Sequence, residues 1–261
     1  MTRMVRFSRF ALHVVSGALT ILFLFPWLEA DERGRRVQRW ALGLLAVLRV
    51  RTVIRGRPPT VRGQGALIVA NHVSWLDIHL IHGILPARFI SKAEVRGWPV
   101  IGWMAESAGT LFLERSRKSD AARMNTLMAG HLRDGDCLAL FPEGTTTDGS
   151  HLRPFYPSLF QPAVEAGALV WPALIRYLNA DATPNPEAAY YGDMSLGTSL
   201  GKILRQPEIV AEITFLPAIA SAGLARREVA RLAEAAMQAA LAGAAPGTEP
   251  GTADRLQAET R

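Results

Sequence analysis

Residues 10–28, FALHVVSGALTILFLFPWL, carry no formal charge. As a helix they reach about 28 Å, close to the roughly 30 Å of bilayer hydrocarbon. Arginines bracket the stretch, with Arg3, Arg6 and Arg9 before it and Arg33, Arg35, Arg36 and Arg39 after it. A simple crossing would put one of these clusters on the wrong side of the positive-inside rule. A second apolar stretch, Trp40 to Leu48, is too short to cross and has the spacing of a helix lying in an interface. The expectation is a membrane-associated helix pair over residues 1–50, dipping into one leaflet from the cytosolic side. Two other readings use the same residues. One is a single span. The other is a signal peptide cleaved after Leu28-Glu29-Ala30, which lacks the small residue wanted at its first position.

The charge distribution agrees with a membrane surface. Residues 1–57 hold eleven arginines against three acids, a net of +8, whereas the remainder holds 18 basic against 20 acidic groups, a net of −2. A basic end beside apolar sequence matches anionic headgroups. A nucleic-acid partner is not expected, because such binders place their charge on the folded domain. The single cysteine, Cys137, excludes an internal disulfide framework and a cysteine-built zinc site.

After Pro58-Pro59, short apolar runs alternate with amphipathic ones. Strands are predicted at Thr52–Arg55, Ala66–Ala70, Ala87–Ser91, Thr110–Glu114, Cys137–Phe141, Ala168–Ile175 and Ile209–Leu216. Helices are predicted at Trp75–Gly83, Val100–Ala108, Ser119–Arg133, Ser158–Glu165 and Ala225–Leu241. This alternation implies an α/β domain over residues 51–220, with a mixed, mainly parallel sheet flanked by helices. Residues 221–261 read as an amphipathic helix followed by a disordered tail, and residues 180–198 as a long loop.

Ligands in such folds gather at the carboxyl ends of strands. There the strand Ala66–Ala70 runs into Asn71-His72-Val73-Ser74-Trp75-Leu76-Asp77. Ser74 is expected to N-cap the next helix, with Asp77 at its third position. If His72 lies in the turn ahead of that helix, Asp77 can hold one ring nitrogen and leave the other free to accept a proton. The competing reading is a capping box, Ser74-x-x-Asp77, with no chemistry. A metal reading through His79 and His82 has the right helical spacing, but lacks cysteines and a second acidic cluster; no metal is expected. Further on, Gly109–Arg115 is an apolar strand ending in a planar cation suited to phosphate. Phe141-Pro142-Glu143-Gly144-Thr145 follows another apolar run; Gly144 permits a tight turn, and Glu143 would accept a substrate hydroxyl or hold Arg115. Lys92 could add a second cation.

In this order the blocks resemble those of the glycerolipid acyltransferase family, the lysophosphatidate (1-acylglycerol-3-phosphate) acyltransferases. NHVSWLD (71–77) is similar to that family's N-H-x4-D motif, GTLFLER (109–115) to G-x-x-F-x-x-R, FPEGT (141–145) to its F-P-E-G-T block, and VWPA (170–173) to its fourth block. The resemblance covers about residues 50–220. One departure is plain: the family often has a Phe-Lys-x-Gly turn where this chain reads Phe155-Tyr156-Pro157-Ser158.

The resemblance implies transfer of a fatty acyl group from acyl-CoA or acyl carrier protein to the hydroxyl of 1-acylglycerol-3-phosphate, forming phosphatidate. His72 would be the general base and Asp77 its orienting partner. Arg115 would bind the acceptor phosphate, and Glu143, Gly144, Thr145 and Lys92 would line the substrate pocket. No cofactor is implied, since the acyl carrier is a substrate. Membrane phospholipid and lysolipid would be the partners, at the inner (cytoplasmic) membrane with the site facing the cytosol. The same chemistry on another lysolipid, such as lyso-ornithine lipid, is the alternative left open by the Phe155–Ser158 departure. Two other classes compete: a lipid hydrolase using Ser74 or Thr145, although no G-x-S-x-G elbow is present, and a catalytically silent membrane-binding module.

Overall fold

Five apolar residues in a row, Ala66–Ala70, need cover on both faces of their strand, and all five are buried. In the computed structural model, which describes residues 3–60, 65–113 and 118–243, the chain runs α1 (Arg3–Phe23), α2 (Ala30–Val47), β1 (Val50–Arg55), β2 (Ala66–Ala70), α3 (Leu76–Ile84), β3 (Arg88–Lys92), α4 (Ala93–Arg96), α5 (Ile101–Ser107), β4 (Leu111–Leu113), α6 (Lys118–Arg133), β5 (Cys137–Leu140), α7 (Gln161–Ala166), β6 (Leu169–Leu178), α8 (Leu196–Ile203), β7 (Ile209–Phe215), β8 (Ile219–Ala220) and α9 (Arg226–Gly243).

The sheet has the order β1-β7-β6-β2-β5-β3-β4, with β8 paired to β6. The strands β6, β2, β5, β3 and β4 run parallel. Next to β6, β7 reverses direction, and β1 follows β7. Alternation along β2 divides the core into two layers. Ile68 and Ala70 join Leu44 and Leu45 of α2 and its capping Leu48, Leu76 and Leu80 of α3, and Ile203 of α8. Leu67 and Val69 join Met128 of α6, Ala163 of α7, and Val229 and Met237 of α9. A mixed, mainly parallel sheet between helices is the expected fold class.

The short α4 and β8 were not predicted, and two larger elements differ from expectation. The apolar stripe of α2 was expected to lie on a membrane surface, but Ala41, Leu44, Leu45 and Leu48 are at most 2% exposed and pack the core. The stripe packs against α3 and β1, so the core itself withdraws this apolar surface from water. Within the expected loop 180–198, α8 begins at Leu196, capped by the Ser195 hydroxyl accepting the Thr198 N–H (3.1 Å). The expected end of β4 at Glu114 and the expected tail after Gly243 lie outside the described residues.

The inner stripe of α1 is Arg6, Phe10, His13 and Gly17, one face of a helix at 100° per residue. The buried Arg6 guanidinium donates to three carbonyls, Leu204 and Gln206 (both 2.6 Å) and Leu48 (3.0 Å), at the carboxyl ends of α8 and α2. A cation is favoured at helix C-termini. A side chain at Gly17 would strike the Trp40 indole, so glycine sets how closely α1 and α2 approach.

Candidate active site

The turn after β2 is fastened before any chemistry is placed on it. The Asn71 amide donates to the Ile175 carbonyl (2.9 Å) and accepts the Ile175 N–H (2.7 Å), tying the end of β2 to β6. His72 comes next, ahead of α3. Its Nδ1 lies 2.8 Å from Asp77 Oδ2. The same Oδ2 accepts the N–H groups of Val73 (2.8 Å) and Ser74 (2.9 Å), and Oδ1 accepts the Tyr177 hydroxyl (2.7 Å). Asp77 is fully buried. With the carboxylate accepting, Nδ1 carries the proton and Nε2 keeps its lone pair. The imidazole stacks on Phe141, centroids 3.8 Å apart and planes 3° from parallel, so its plane is fixed as well.

Ser74 is not the cap. The α3 boundary residue is Trp75, and the carboxylate of Asp77 takes the amides of residues 73 and 74 instead. An ionised oxygen is the stronger acceptor for converging amides. The Ser74 hydroxyl is fully buried with no hydrogen-bond partner among the described residues, which removes it as a nucleophile. The Cys137 thiol is likewise buried, and burial pushes its pKa up to about 12.

Glu143 was expected to accept a substrate hydroxyl or hold Arg115, which lies outside the described residues; among the described residues its partners are backbone amides. It is 2% exposed, and its two oxygens accept the backbone N–H of His72 (2.9 Å) and of Arg153 (2.8 Å). Burial raises its pKa above the ordinary carboxylate value, against the pull of those two amides. Glu143 therefore binds the β5 turn to the backbone of His72. Gly144 follows at φ 69°, a left-handed conformation that favours glycine. Thr145 is partly exposed beside it. The Thr147 N–H donates to the His72 carbonyl (2.8 Å), so this loop grips both backbone polar groups of the histidine.

Lys92 ends β3 on the same carboxyl edge, exposed, two strands away from β2. Arg115, two residues beyond β4, lies outside the described residues. His79 and His82 turn into the helical layer. His79 meets Trp40 and Trp75 edge-on and His82 packs on Phe89. Burial lowers their pKa values to about 3 and about 4.

Sequence reasoning missed Tyr177, the tie that Asn71 makes to β6, and the Thr147 backbone contact to His72. Burial, then the neighbouring carboxylate, pushes the Tyr177 hydroxyl well above its usual pKa, leaving it a committed donor. One signal was available: Ala173, Ile175 and Tyr177 alternate onto one face of β6, and a phenol on a buried face needs an acceptor.

The fold and site define an α/β protein with a histidine–carboxylate pair at the carboxyl edge of its sheet. Residues 51–176 match the family model described as Acyltransferase. Over 214 residues the chain is 44% identical to the lyso-ornithine lipid O-acyltransferase of Pseudomonas aeruginosa, spanning 82% of this chain and 81% of that protein. Over 186 residues it is 35% identical to the 1-acyl-sn-glycerol-3-phosphate acyltransferase of Neisseria meningitidis serogroup B, 71% and 72% of the two chains. The crystal structure of the 1-acyl-sn-glycerophosphate (LPA) acyltransferase PlsC from Thermotoga maritima has the same fold, with a TM-score of 0.66, 19% identity, and coverage of 95% of this chain and 100% of that one. The chain belongs to the acyltransferase family. It is an O-acyltransferase of the lysolipid type.

Proposed function

We propose that this chain transfers a fatty acyl group from acyl-CoA or acyl carrier protein to the free hydroxyl of a lysolipid with an amino-acid headgroup, lyso-ornithine lipid, with His72 as general base and Asp77 orienting it. The observation that carries the chemistry is the His72–Asp77 contact, with the carboxylate buried and held by three further donors. The acceptor hydroxyl gives its proton to Nε2 as its oxygen attacks the thioester carbonyl. The tetrahedral adduct collapses, the thiolate leaves, and the imidazolium returns the proton to it. No acyl-enzyme is required. The choice of acceptor rests on the 44% identical relative, and Phe155-Tyr156-Pro157-Ser158, with Tyr156 exposed, is the departure from the family's frequent Phe-Lys-x-Gly turn that leaves room for it.

A second reading keeps the chemistry and takes 1-acylglycerol-3-phosphate, giving phosphatidate. It is favoured by the 35% identical relative, with Arg115 as phosphate ligand. Either reaction would belong at the inner membrane, facing the cytosol, where a lipid acceptor and a water-soluble donor meet.

Purified protein in mixed micelles, given radiolabelled acyl-CoA and acyl carrier protein donors, decides between them. Lyso-ornithine lipid is expected to be acylated faster than 1-acylglycerol-3-phosphate, and His72→Ala to lose about 10²–10⁴ in rate. The reverse preference moves the conclusion to the second reading. Full activity in His72→Ala, or an acyl group trapped on the protein, overturns the mechanism.

A further inference from the structure

Opposite its inner stripe, α1 carries Met4, Leu12, Val15, Leu19 and Leu22, each between 49% and 77% exposed. The helix is thus inverted, with an arginine and a histidine facing inward and aliphatic residues facing out. A second exposed apolar group lies beside it. Trp98, Val100, Ile101 and Trp103, in the turn joining α4 to α5 and the start of α5, are between 40% and 51% exposed. The two are joined by packing, since α1 touches α5 and Met104 closes on Gly17. Tryptophan pairs an apolar body with a polar N–H, which suits the headgroup boundary of a bilayer. The charge that complements anionic lipid lies at the start of α1, with Arg3 and Arg9, and at the exposed Lys92 ahead of α4; Arg96 is paired with Glu106 (2.6 Å).

We infer that the Trp98–Trp103 turn is a second membrane contact, seated in the headgroup and upper acyl region of an anionic bilayer alongside α1. Two prongs fix orientation as well as attachment, because one helix lying in a surface leaves the body free to roll about it. The lipid-facing edge is then set by α1 and α5 together. The proposal rests on the reading that the substrates are membrane lipids.

The test uses the full chain and vesicles of phosphatidylglycerol and phosphatidylcholine. Cys137 is buried, so a spin label placed at Ile101→Cys reports that site; Leu19→Cys reports α1, and Arg227→Cys on α9 reports an aqueous control. Oxygen accessibility at 101 should rise on adding vesicles, as at 19 and unlike 227. Trp98→Ala/Trp103→Ala should weaken vesicle partitioning roughly tenfold, in line with the apolar area withdrawn, while acylation in detergent micelles stays near wild type. A label at 101 that remains aqueous while the one at 19 enters lipid overturns the second contact. So does partitioning unchanged in the double variant, or a label at 101 shielded by self-association before any vesicle is added. If no lysolipid is acylated in micelles the functional reading fails, yet the depth measurement still decides the docking.

Discussion

Asp77 is where the fold and the proposed chemistry share one side chain. Three of its four partners are local, and the fourth, the Tyr177 hydroxyl, comes from β6 a hundred residues away. Tyr177 does not bond His72; it holds the acceptor that holds His72, and so in the proposed mechanism would be a positioning residue. Tyr177→Phe is expected to lower kcat roughly tenfold, the low end of what a hydrogen bond to a charged group is worth, with KM for the acceptor little changed. In an Asp77→Asn background the same substitution should cost little more, because the group it positions has gone. Equal losses in both backgrounds would make Tyr177 a packing residue only. The dyad itself was legible in sequence because both members lie within seven consecutive residues. Tyr177 was not, because nothing local says which strand will lie beside β2. Ser74 shows a subtler limit. The pattern Ser-x-x-Asp announces a helix start, but which oxygen takes the free amides depends on which carboxylate the interior has already fixed in place.

At the scale of elements, strands were the legible part. Runs such as Ala66–Ala70 and Cys137–Leu140 are apolar throughout, and only a doubly covered strand accommodates that. The helix α8 was hidden by Gly197 and Gly201, which lower helix propensity; packing of Leu200, Ile203 and Leu204 onto the core overrides it. The latch from α1 was equally hidden, since the partners of Arg6 are carbonyls near residues 48 and 204. Arg6→Met is expected to leave these acceptors unsatisfied and cost about 3 kcal/mol. Thermal unfolding and proteolysis near residue 10 would register it, and wild-type protease resistance would contradict the latch. The helix α3 also carries a pH liability. His82 is buried and His79 partly so, and desolvation holds their pKa values at about 4 and about 3 when folded against 6.5 for the free side chain. The unfolded chain therefore binds more protons, so their contribution is intact above pH 6.5 and drains as pH falls toward the folded values. Each group loses about 1.4 kcal/mol per pH unit in that window, or about 2 kcal/mol by pH 5. Denaturant titrations at pH 7, 6 and 5 should show that loss, and His82→Gln should remove about half of it. A pH-independent midpoint over this range would mean the two histidines are solvated.

For the whole molecule, the two N-terminal helices do different jobs although both read as apolar and basic in sequence. The periodicity of α2 shows an apolar stripe but not what covers it, and the same stripe suits a bilayer or a core. The structure gives α2 to the core through Leu44, Leu45 and Leu48, each buried at 2% or less. Removing three such side chains forfeits about 2 kcal/mol apiece, of the same order as the whole stability of a domain. The outward face of α1, by contrast, contributes nothing to that core. Removal of residues 1–28 should therefore leave a folded body, less stable for want of Arg6 and Phe25, that no longer sediments with anionic vesicles as the full chain does. Removal of residues 1–50 should give insoluble protein, so its failure to reach a membrane would be uninformative. Circular dichroism and vesicle sedimentation on the two truncations together separate these roles. If the chain lacking residues 1–28 still sediments fully, attachment resides in the α4–α5 turn alone, and α1 is a strap across the fold instead of an anchor.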